Sequence, residues 1–153
     1  MSLSKLATAL AAGALLGGLA VGAVAQDAVD PAIAAMTPEQ LVQARKDAMK
    51  ENGGLMRGAG GLTGADATAA ADVLIRNFTN FPAMFPEGSM VGDTKALPII
   101  WQELDAFNAI FAKGLQGAKD MKAAAEAGDA AAYGEALKAI GATCAECHQK
   151  YRS

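Results

Sequence analysis

The amino-acid sequence predicts an all-α protein, an antiparallel up-down-up-down four-helix bundle. No segment shows the period-two alternation of apolar and polar residues that a half-buried strand requires. Four stretches instead repeat apolar residues at steps of three and four, which is typical of amphipathic helices. The connections between these stretches are mostly short and contain proline or glycine, which favours antiparallel neighbours. With 153 residues, 52% hydrophobic and 19% charged, the chain suits one folded domain.

The first 25 residues differ from the rest and predict a signal peptide. Lys5 is their only charge, and an apolar run rich in alanine, glycine and leucine follows it. The run is almost long enough for a membrane anchor. It ends, however, in Ala23-Val24-Ala25, the small-x-small pattern at which signal peptidase cuts. We therefore expect cleavage after Ala25, a mature domain of residues 26–153 outside the cytoplasm, and no membrane attachment after cleavage.

The first helix is predicted to begin at Thr37. This threonine can cap the helix, Pro38 suits its first position, and Gln40 completes a capping box. Gly53 and Gly54 weaken the far end of the helix, because glycine is a poor helix former. The face expected to point inward carries Leu41, Arg45, Ala48, Met49, Asn52 and Met56.

The second helix is predicted over residues 66–81 and stops before Pro82, which cannot continue a helix. Its inward face consists of Ala67, Ala70, Ala71, Leu74, Phe78 and Phe81. A loop with several prolines and glycines then leads to the third helix, which is expected to begin near Thr94 or Leu97. The inward face of the third helix consists of Trp101, Leu104, Phe107, Ile110, Phe111 and Leu115.

Gly128 is predicted to end the third helix and Asp129 to cap the fourth. The apolar face of the fourth helix repeats at steps of four and three through Tyr133, Leu137, Ile140, Cys144, His148 and Tyr151. This helix therefore carries both cysteines of the sequence and its only histidine.

The motif "CAECH" gathers Cys144, Cys147 and His148 in one helical turn, and four chemistries use such residues. A disulfide suits an exported protein, although it would close only a short loop and leave His148 without a role. A thioredoxin-like redox pair needs its first cysteine at a helix N-terminus in a βαβ setting. A structural zinc site needs a fourth ligand, and the sequence has no further cysteine or histidine.

Covalent haem is the fourth interpretation, because C-x-x-C-H is the attachment motif of c-type cytochromes. Thiols one helical turn apart can add to the two vinyl groups of haem, and the adjacent histidine can ligate the iron. Export agrees with haem, since c-type haem is attached outside the cytoplasm in bacteria. Aromatic residues make up only 5% of the sequence and alanine is abundant, and such small side chains leave room in a core that a haem would fill.

The sequence resembles the cytochrome c′ family, the class II c-type cytochromes, over residues 36–153. The matching stretches are "ARKDAMKENGGLM" in the first helix, "MFPEGS" in the long loop, "PIIWQELDAF" at the start of the third helix and "GATCAECHQKYR" at the end. The resemblance implies a periplasmic four-helix bundle with one haem c bound covalently through Cys144 and Cys147, and His148 as an iron ligand. It also implies periplasmic redox proteins as partners, and homodimers, which in this family often form through the first two helices.

The resemblance further implies roles on the other side of the iron. The family position that matches Met49 lies over the distal face of the haem, and some relatives use a methionine there as a sixth ligand, which gives low-spin haem. The stretch "MKENGGLM" is similar to those relatives, so Met49 is expected to bind iron, with Met56 as a second candidate. The arginine that matches Arg45 pairs with a haem propionate, and Arg152 matches an arginine near the proximal histidine. The alternatives are core packing for Met49 and solvated charges for the two arginines.

Two functions follow as hypotheses. One is an electron carrier with iron held by His148 and Met49, and the other is a high-spin protein that binds nitric oxide or carbon monoxide at an open distal site. A net charge of −3 and a pI of about 5.1 argue against nucleic-acid binding, since no basic stripe is available for phosphates. No acid–base pair accompanies the haem residues, so an enzyme is not expected. The ring is expected to be lined by Phe78, Trp101, Phe107 and Ile140.

Overall fold

The structure, a computed structural model, describes residues 28–153. The predicted signal peptide, residues 1–25, and its cleavage site lie outside this range. The described helices are α1 (Pro38–Gly58), α2 (Gly64–Asn80), α3 (Ile99–Gln102), α4 (Leu104–Ala127) and α5 (Ala130–Tyr151), with 3₁₀ turns at Pro31–Ala35, Ala59–Gly61 and Phe81–Met84. Residues 28–153 contain no β-strand, so the all-α prediction is confirmed. None of these helices is long and apolar enough to span a membrane.

Helix α1 begins as predicted and extends further than its glycines suggest. The Thr37 hydroxyl accepts a hydrogen bond from the Gln40 amide at 3.3 Å, and the Gln40 side chain accepts one from the Thr37 amide at 2.8 Å. The helix continues through Gly53 and Gly54 to Gly58. Beyond the glycines, Leu55 and Met56 pack against the core. Their burial offsets the helix-propensity penalty of about 1 kcal/mol per glycine.

Helix α2 starts slightly before the predicted boundary, and Phe81 falls in the 3₁₀ turn that follows it. Each side chain predicted to face inward from this segment is buried, namely Ala67, Ala70, Ala71, Leu74, Phe78 and Phe81. The predicted inward face of the second helix is therefore confirmed.

The predicted third helix consists of two helices, because the backbone leaves the helical conformation at Glu103 (φ −125°, ψ 38°). The Glu103 carboxylate accepts a hydrogen bond from the Tyr151 hydroxyl at 2.9 Å and pairs with Lys150 Nζ at 2.5 Å. These two partners come from the last turn of α5. Leu104, directly after the break, is 40% exposed, so its predicted inward position is wrong.

The connection between α4 and α5 follows the sequence prediction. Gly128 has a left-handed conformation with φ 67°, which glycine adopts without a steric penalty. Its amide donates to the Ala125 carbonyl at 3.2 Å, and the Asp129 amide donates to the Ala124 carbonyl at 2.9 Å. Asp129 then caps α5, since its side chain accepts a hydrogen bond from the Ala132 amide at 2.9 Å.

Helix α4 packs closely on both α2 and α5. Two glycines allow this approach. A Cβ atom on Gly114 would lie 2.6 Å from Cδ1 of Phe78 in α2, and one on Gly117 would lie 3.0 Å from Cγ1 of Ile140 in α5. Helix α1 has far fewer close approaches to the other helices. The two cavities of the candidate site are bounded by α1 on one side and by α5 on another.

Candidate functional site

The C-x-x-C-H motif occupies the last turns of α5. Cys144 and Cys147 are one helical turn apart, and both thiols are free in the structure. Cys147 is buried, while Cys144 and His148 are half-buried. All three side chains line one cavity. The helix therefore brings the two thiols and the imidazole to the same space, as the spacing of the motif predicts.

Burial favours the neutral forms of these three groups. It raises the pKa of the Cys147 thiol to about 11, with smaller contributions from Cys144 and Glu146, and it raises the pKa of the Cys144 thiol. Burial, followed by the charge of Arg152, lowers the pKa of His148. A redox-active cysteine pair needs a thiol with a lowered pKa, so the thioredoxin-like interpretation is disfavoured. A neutral imidazole retains the nitrogen lone pair that a metal ligand needs.

Two adjoining cavities lie beside the motif. The larger has a volume of about 420 Å³ and the smaller about 190 Å³. Met49, Phe111, Cys147 and His148 line both of them. Sites for small ligands and cofactors are typically concave and mostly apolar, with volumes of roughly 300–1,000 Å³. The space beside the motif therefore suits a large, mainly apolar cofactor.

Arg45 is a buried cation at the wall of the larger cavity, with 5% of its surface exposed. Its Nε donates to the Met84 carbonyl at 2.7 Å, and its Nη2 donates to the carbonyl and hydroxyl oxygens of Ser89. The guanidinium carbon lies 4.1 Å from the ring centre of Phe85. Nη1 is buried without a hydrogen-bond partner.

Within residues 28–153, no carboxylate is hydrogen-bonded to Arg45. Burial lowers the pKa of Arg45 to about 10, so the group stays charged at neutral pH. A buried charge without a counter-charge is costly. An anionic group in the larger cavity, such as a carboxylate, would satisfy both the charge and the unpaired Nη1.

Met49 is half-buried and lies one helical turn after Arg45 on α1. It lines both cavities, as His148 does from α5, whereas Met56 lines only the smaller one. The structure therefore brings Met49 and His148 to the same space and favours Met49 over Met56 as the methionine opposite the imidazole.

The segment after His148 is fixed against the loop that leads into α3. The Leu97 amide donates to the Tyr151 carbonyl at 3.0 Å, and the Ser153 amide donates to the Lys95 carbonyl at 3.0 Å. Arg152 lies between these hydrogen bonds and lines the larger cavity together with His148. The expected position of Arg152 near the histidine is consistent with this arrangement.

Two of the four side chains expected around the ring line the cavities, and two do not. Phe107 lines the larger cavity and Phe78 the smaller. Trp101 instead donates from Nε1 to the carbonyls of Phe85 and Pro86, at 3.2 and 3.1 Å. Ile140 packs against Gly117 of α4. These two side chains contact the surrounding core and the loop after α2 instead of the cavities.

Two residues of the site were not predicted to have a functional role. Asn52 lines the smaller cavity and Phe85 the larger. Asn52 was recognisable as a polar residue on an otherwise apolar helical face, three residues after Met49. Phe85 lies in an irregular loop where no periodicity distinguishes inward from outward positions, and only the family resemblance of "MFPEGS" marked its stretch.

The residues present fit a covalently bound haem. The site combines two thiols at the attachment spacing, an adjacent neutral imidazole, an apolar space and a buried guanidinium with an unpaired nitrogen. Zinc fits less well, because residues 28–153 contain no group of three or more His, Cys, Asp or Glu side chains placed to hold a metal ion.

Comparison with known proteins agrees with this assignment. A family model described as cytochrome C′ matches residues 35–152. A cytochrome c′ of Pararhodospirillum photometricum is 35% identical over 123 residues, covering 76% of this chain and 98% of the relative. The chain belongs to the cytochrome c′ family. A cytochrome c-556 of Agrobacterium tumefaciens is also similar, with 36% identity over 118 residues, 72% of this chain and 95% of that protein. Cytochromes c′ carry covalent haem c, so the predicted cofactor is confirmed.

Solved cytochrome c′ structures confirm the four-helix bundle. The structure from Thermochromatium tepidum matches with a TM-score of 0.69 and 29% identity over 77% of this chain and 98% of that one. A cytochrome c′ described by its ligand-controlled dimer dissociation matches at 0.70 and 26% identity, with the same coverage of both chains. A nitric oxide complex of a variant cytochrome c prime from Alcaligenes xylosoxidans matches at 0.66 and 27% identity, over 76% of this chain and 96% of that one.

Proposed function

We propose that this member of the cytochrome c′ family is an exported electron carrier whose haem iron is held between His148 and Met49. The observation that carries the proposal is that these two side chains, from α5 and α1, line both cavities. Bound haem supplies a one-electron ferric–ferrous couple. Two protein ligands that stay in place in both oxidation states reduce rearrangement during electron transfer.

The two cysteines have the role of covalent anchors in this proposal. Cys144 and Cys147 are neutral and partly or fully buried, and their conversion to thioethers removes two ionisable thiols from an apolar wall. His148 follows Cys147 directly in the sequence, so attachment at the cysteines keeps its imidazole next to the ring.

Arg45 has the role of an electrostatic anchor. Its Nε and Nη2 bind the loop that contains Met84 and Ser89, and its unpaired Nη1 is available for a haem propionate. One guanidinium would then connect α1, the loop and the cofactor. Because Met49 is one turn further along α1, this connection would also fix the helix that carries the proposed sixth ligand.

The location and partners follow from the sequence and the family. Cleavage after Ala25 would release the domain of residues 26–153 into the periplasm, where its partners are redox proteins rather than nucleic acid or membrane. A second copy of the chain is a further proposed partner, because a similar cytochrome c′ forms dimers.

The intact mass of protein isolated from the periplasm tests the proposed export and cleavage after Ala25. We expect the mass of residues 26–153 plus one haem, and the mass of the uncleaved chain would contradict it.

Substitution of Met49 tests the ligand assignment. The wild-type protein should be low-spin in both oxidation states, and its ferric form should show the weak far-red absorption of iron–methionine bonding. Met49→Ala should abolish this band, convert the haem to high spin and allow carbon monoxide to bind. Met56→Ala is the matched control, since Met56 is also half-buried on α1 but lines only the smaller cavity. It should leave the spectra unchanged.

A high-spin wild-type protein that binds carbon monoxide freely would contradict the carrier and favour the second candidate. That candidate is a gas-binding protein with an open distal site. It is supported by the nitric oxide complex of the similar Alcaligenes xylosoxidans protein. Neither candidate is an enzyme, since both need only a ligand or an electron at the iron.

A further inference from the structure

A chain of hydrogen bonds joins α2 to α1 and ends beside Met49. Arg76 Nη2 donates to Glu51 Oε2 at 2.7 Å. Asn77 Nδ2 donates to the same carboxylate oxygen at 2.8 Å and to Asn52 Oδ1 at 2.7 Å. The two asparagines are buried, with 4% of Asn77 and 6% of Asn52 exposed.

This chain determines which way the Asn52 amide faces. An ionised carboxylate can only accept hydrogen bonds, so Asn77 must present its NH₂ group to Glu51. The second hydrogen of that group points at Asn52, which must therefore present its oxygen to Asn77. The NH₂ group of Asn52 is left on the other side of the amide.

The Asn52 NH₂ group has no acceptor in the described part of the chain, residues 28–153. Unlike Arg45 Nη1, this NH₂ group is not sealed inside the protein, so a partner that enters the space beside it can accept its hydrogens. Asn52 lines the smaller cavity together with Met49, Cys144 and His148. The unused donor therefore belongs to a residue on the wall that faces the haem motif.

Thr143 is the other buried polar residue on this wall, and its single donor hydrogen is already used. Its hydroxyl donates to the Ala139 carbonyl at 3.0 Å within α5. Both residues line the smaller cavity, but only Asn52 has hydrogens left to donate.

We propose that Asn52 donates a hydrogen bond to a small, negatively polarised ligand bound to the iron on the Met49 side. The class of ligand is an anion or diatomic whose outer atom accepts a hydrogen bond, with cyanide as the probe. Carbon monoxide should gain less, since its outer atom carries little negative charge. Distal hydrogen-bond donors select among haem ligands in this way. The inference rests on the proposed function only in that the haem lies between α1 and α5 on His148, and it does not need Met49 to bind iron.

The experiment uses haem-loaded Met49→Ala protein, in which the position opposite His148 is free whether or not Met49 normally occupies it. Addition of Asn52→Leu should weaken the binding of cyanide to the ferric form roughly tenfold, as the loss of a hydrogen bond to a charged group predicts. It should change carbon monoxide affinity of the ferrous form less than about twofold. Addition of Thr143→Val, which removes a hydroxyl from the same cavity, should leave both affinities unchanged.

Three results would overturn the proposal. The first is an unchanged cyanide affinity when Asn52→Leu is added. The second is an equal loss of cyanide affinity when Thr143→Val is added. The third is an equal loss of cyanide and carbon monoxide affinity with Asn52→Leu, which would indicate altered packing. The spectra of the single Met49→Ala variant report Met49 ligation separately from these results. If Asn52→Leu protein does not retain haem, the stretching frequency of cyanide bound to the Met49→Ala protein decides instead. It should shift in deuterated water, and no shift would contradict the hydrogen bond.

Discussion

At the scale of single residues, Arg45 is held by the loop that follows α2. Its charge-assisted hydrogen bonds to the Met84 carbonyl and to Ser89 join residues about forty positions apart. Such bonds are roughly twice as strong as those between neutral groups. The same guanidinium stacks on Phe85, which lines the larger cavity. Arg45 therefore supports the shape of the cavity even before any role toward the cofactor is considered.

Substitution of Arg45 by leucine should lower both stability and reduction potential. The loss of these hydrogen bonds should reduce the free energy of unfolding of the haem protein by about 2–3 kcal/mol in denaturant titrations. The reduction potential should fall, because a cation near the haem favours the less positive ferrous state. Lys46→Leu is the control, since its pair with Asp93 is exposed and exposed ion pairs contribute little to stability. Equal effects of the two substitutions would argue against a buried role for Arg45.

The sequence predicted the site residues better than their hydrogen-bond partners. Cys144, Cys147 and His148 are recognisable because their spacing is itself the chemical requirement. The inward position of Arg45 followed from the helical period. Its pairing with Met84 and Ser89 could not be predicted, because the positions of the short 3₁₀ turn that ends at Met84 and of the loop after it depend on tertiary packing.

At the scale of elements, the contact of α4 with α2 depends on the absence of a side chain at Gly114. Gly114→Ala would place a Cβ atom against the ring of Phe78, and we expect it to lower the free energy of unfolding by about 1–3 kcal/mol through overpacking. Gly134→Ala in α5 is the matched control, since nothing lies within 4 Å of its added Cβ. That change should stabilise the protein by up to about 1 kcal/mol through helix propensity. Thermal or denaturant unfolding measures both, and two effects of the same sign would contradict the packing argument.

The contact between α5 and the α3–α4 break should make stability depend on acid pH. Hydrogen bonds from Lys150 and then Tyr151 lower the pKa of Glu103 below its ordinary value of 4.5. A carboxyl whose pKa is lower in the folded state stabilises the fold above the unfolded pKa and loses this effect as pH falls through the folded pKa. The melting temperature of Glu103→Gln should therefore be lower than that of wild type at neutral pH, and the difference should shrink below pH 4.5. Glu87→Gln, at an exposed loop position, should show no such difference at any pH.

Helix boundaries were predictable from the sequence where their determinants are local, and the break at Glu103 was not. The start of α1 and the turn at Gly128 were predicted because their determinants, a capping box and a left-handed glycine, lie within a few residues of the boundary. The break at Glu103 was missed because its partners, Lys150 and Tyr151, come from the far end of the chain. Sequence patterns report local determinants, and a long-range ion pair leaves no mark on the helical period.

At the scale of the whole molecule, the helices differ in how closely they pack against one another. Helix α4 packs closely on α2 and α5, whereas α1 has few close approaches to any of them. The cavities that Met49 and His148 share lie beside α1. In the haem protein we therefore expect the cofactor to provide much of the surface on which α1 packs.

Removal of the covalent attachment should reveal this dependence. Cys144→Ser combined with Cys147→Ser leaves no thiol for haem, so the apolar walls of both cavities lose their cofactor and α1 loses its packing surface. Local stability follows the buried contacts of a segment, so the amides of α1 should exchange with deuterium much faster than in the haem protein. The amides of α2 and α4 should keep more of their protection, because α4 packs directly on α2, with Gly114 against the ring of Phe78. Hydrogen–deuterium exchange with peptide mass analysis measures each helix separately. Equal acceleration in α1, α2 and α4 would show that the bundle unfolds as one unit without haem, and that α1 is no more dependent on the cofactor than its neighbours.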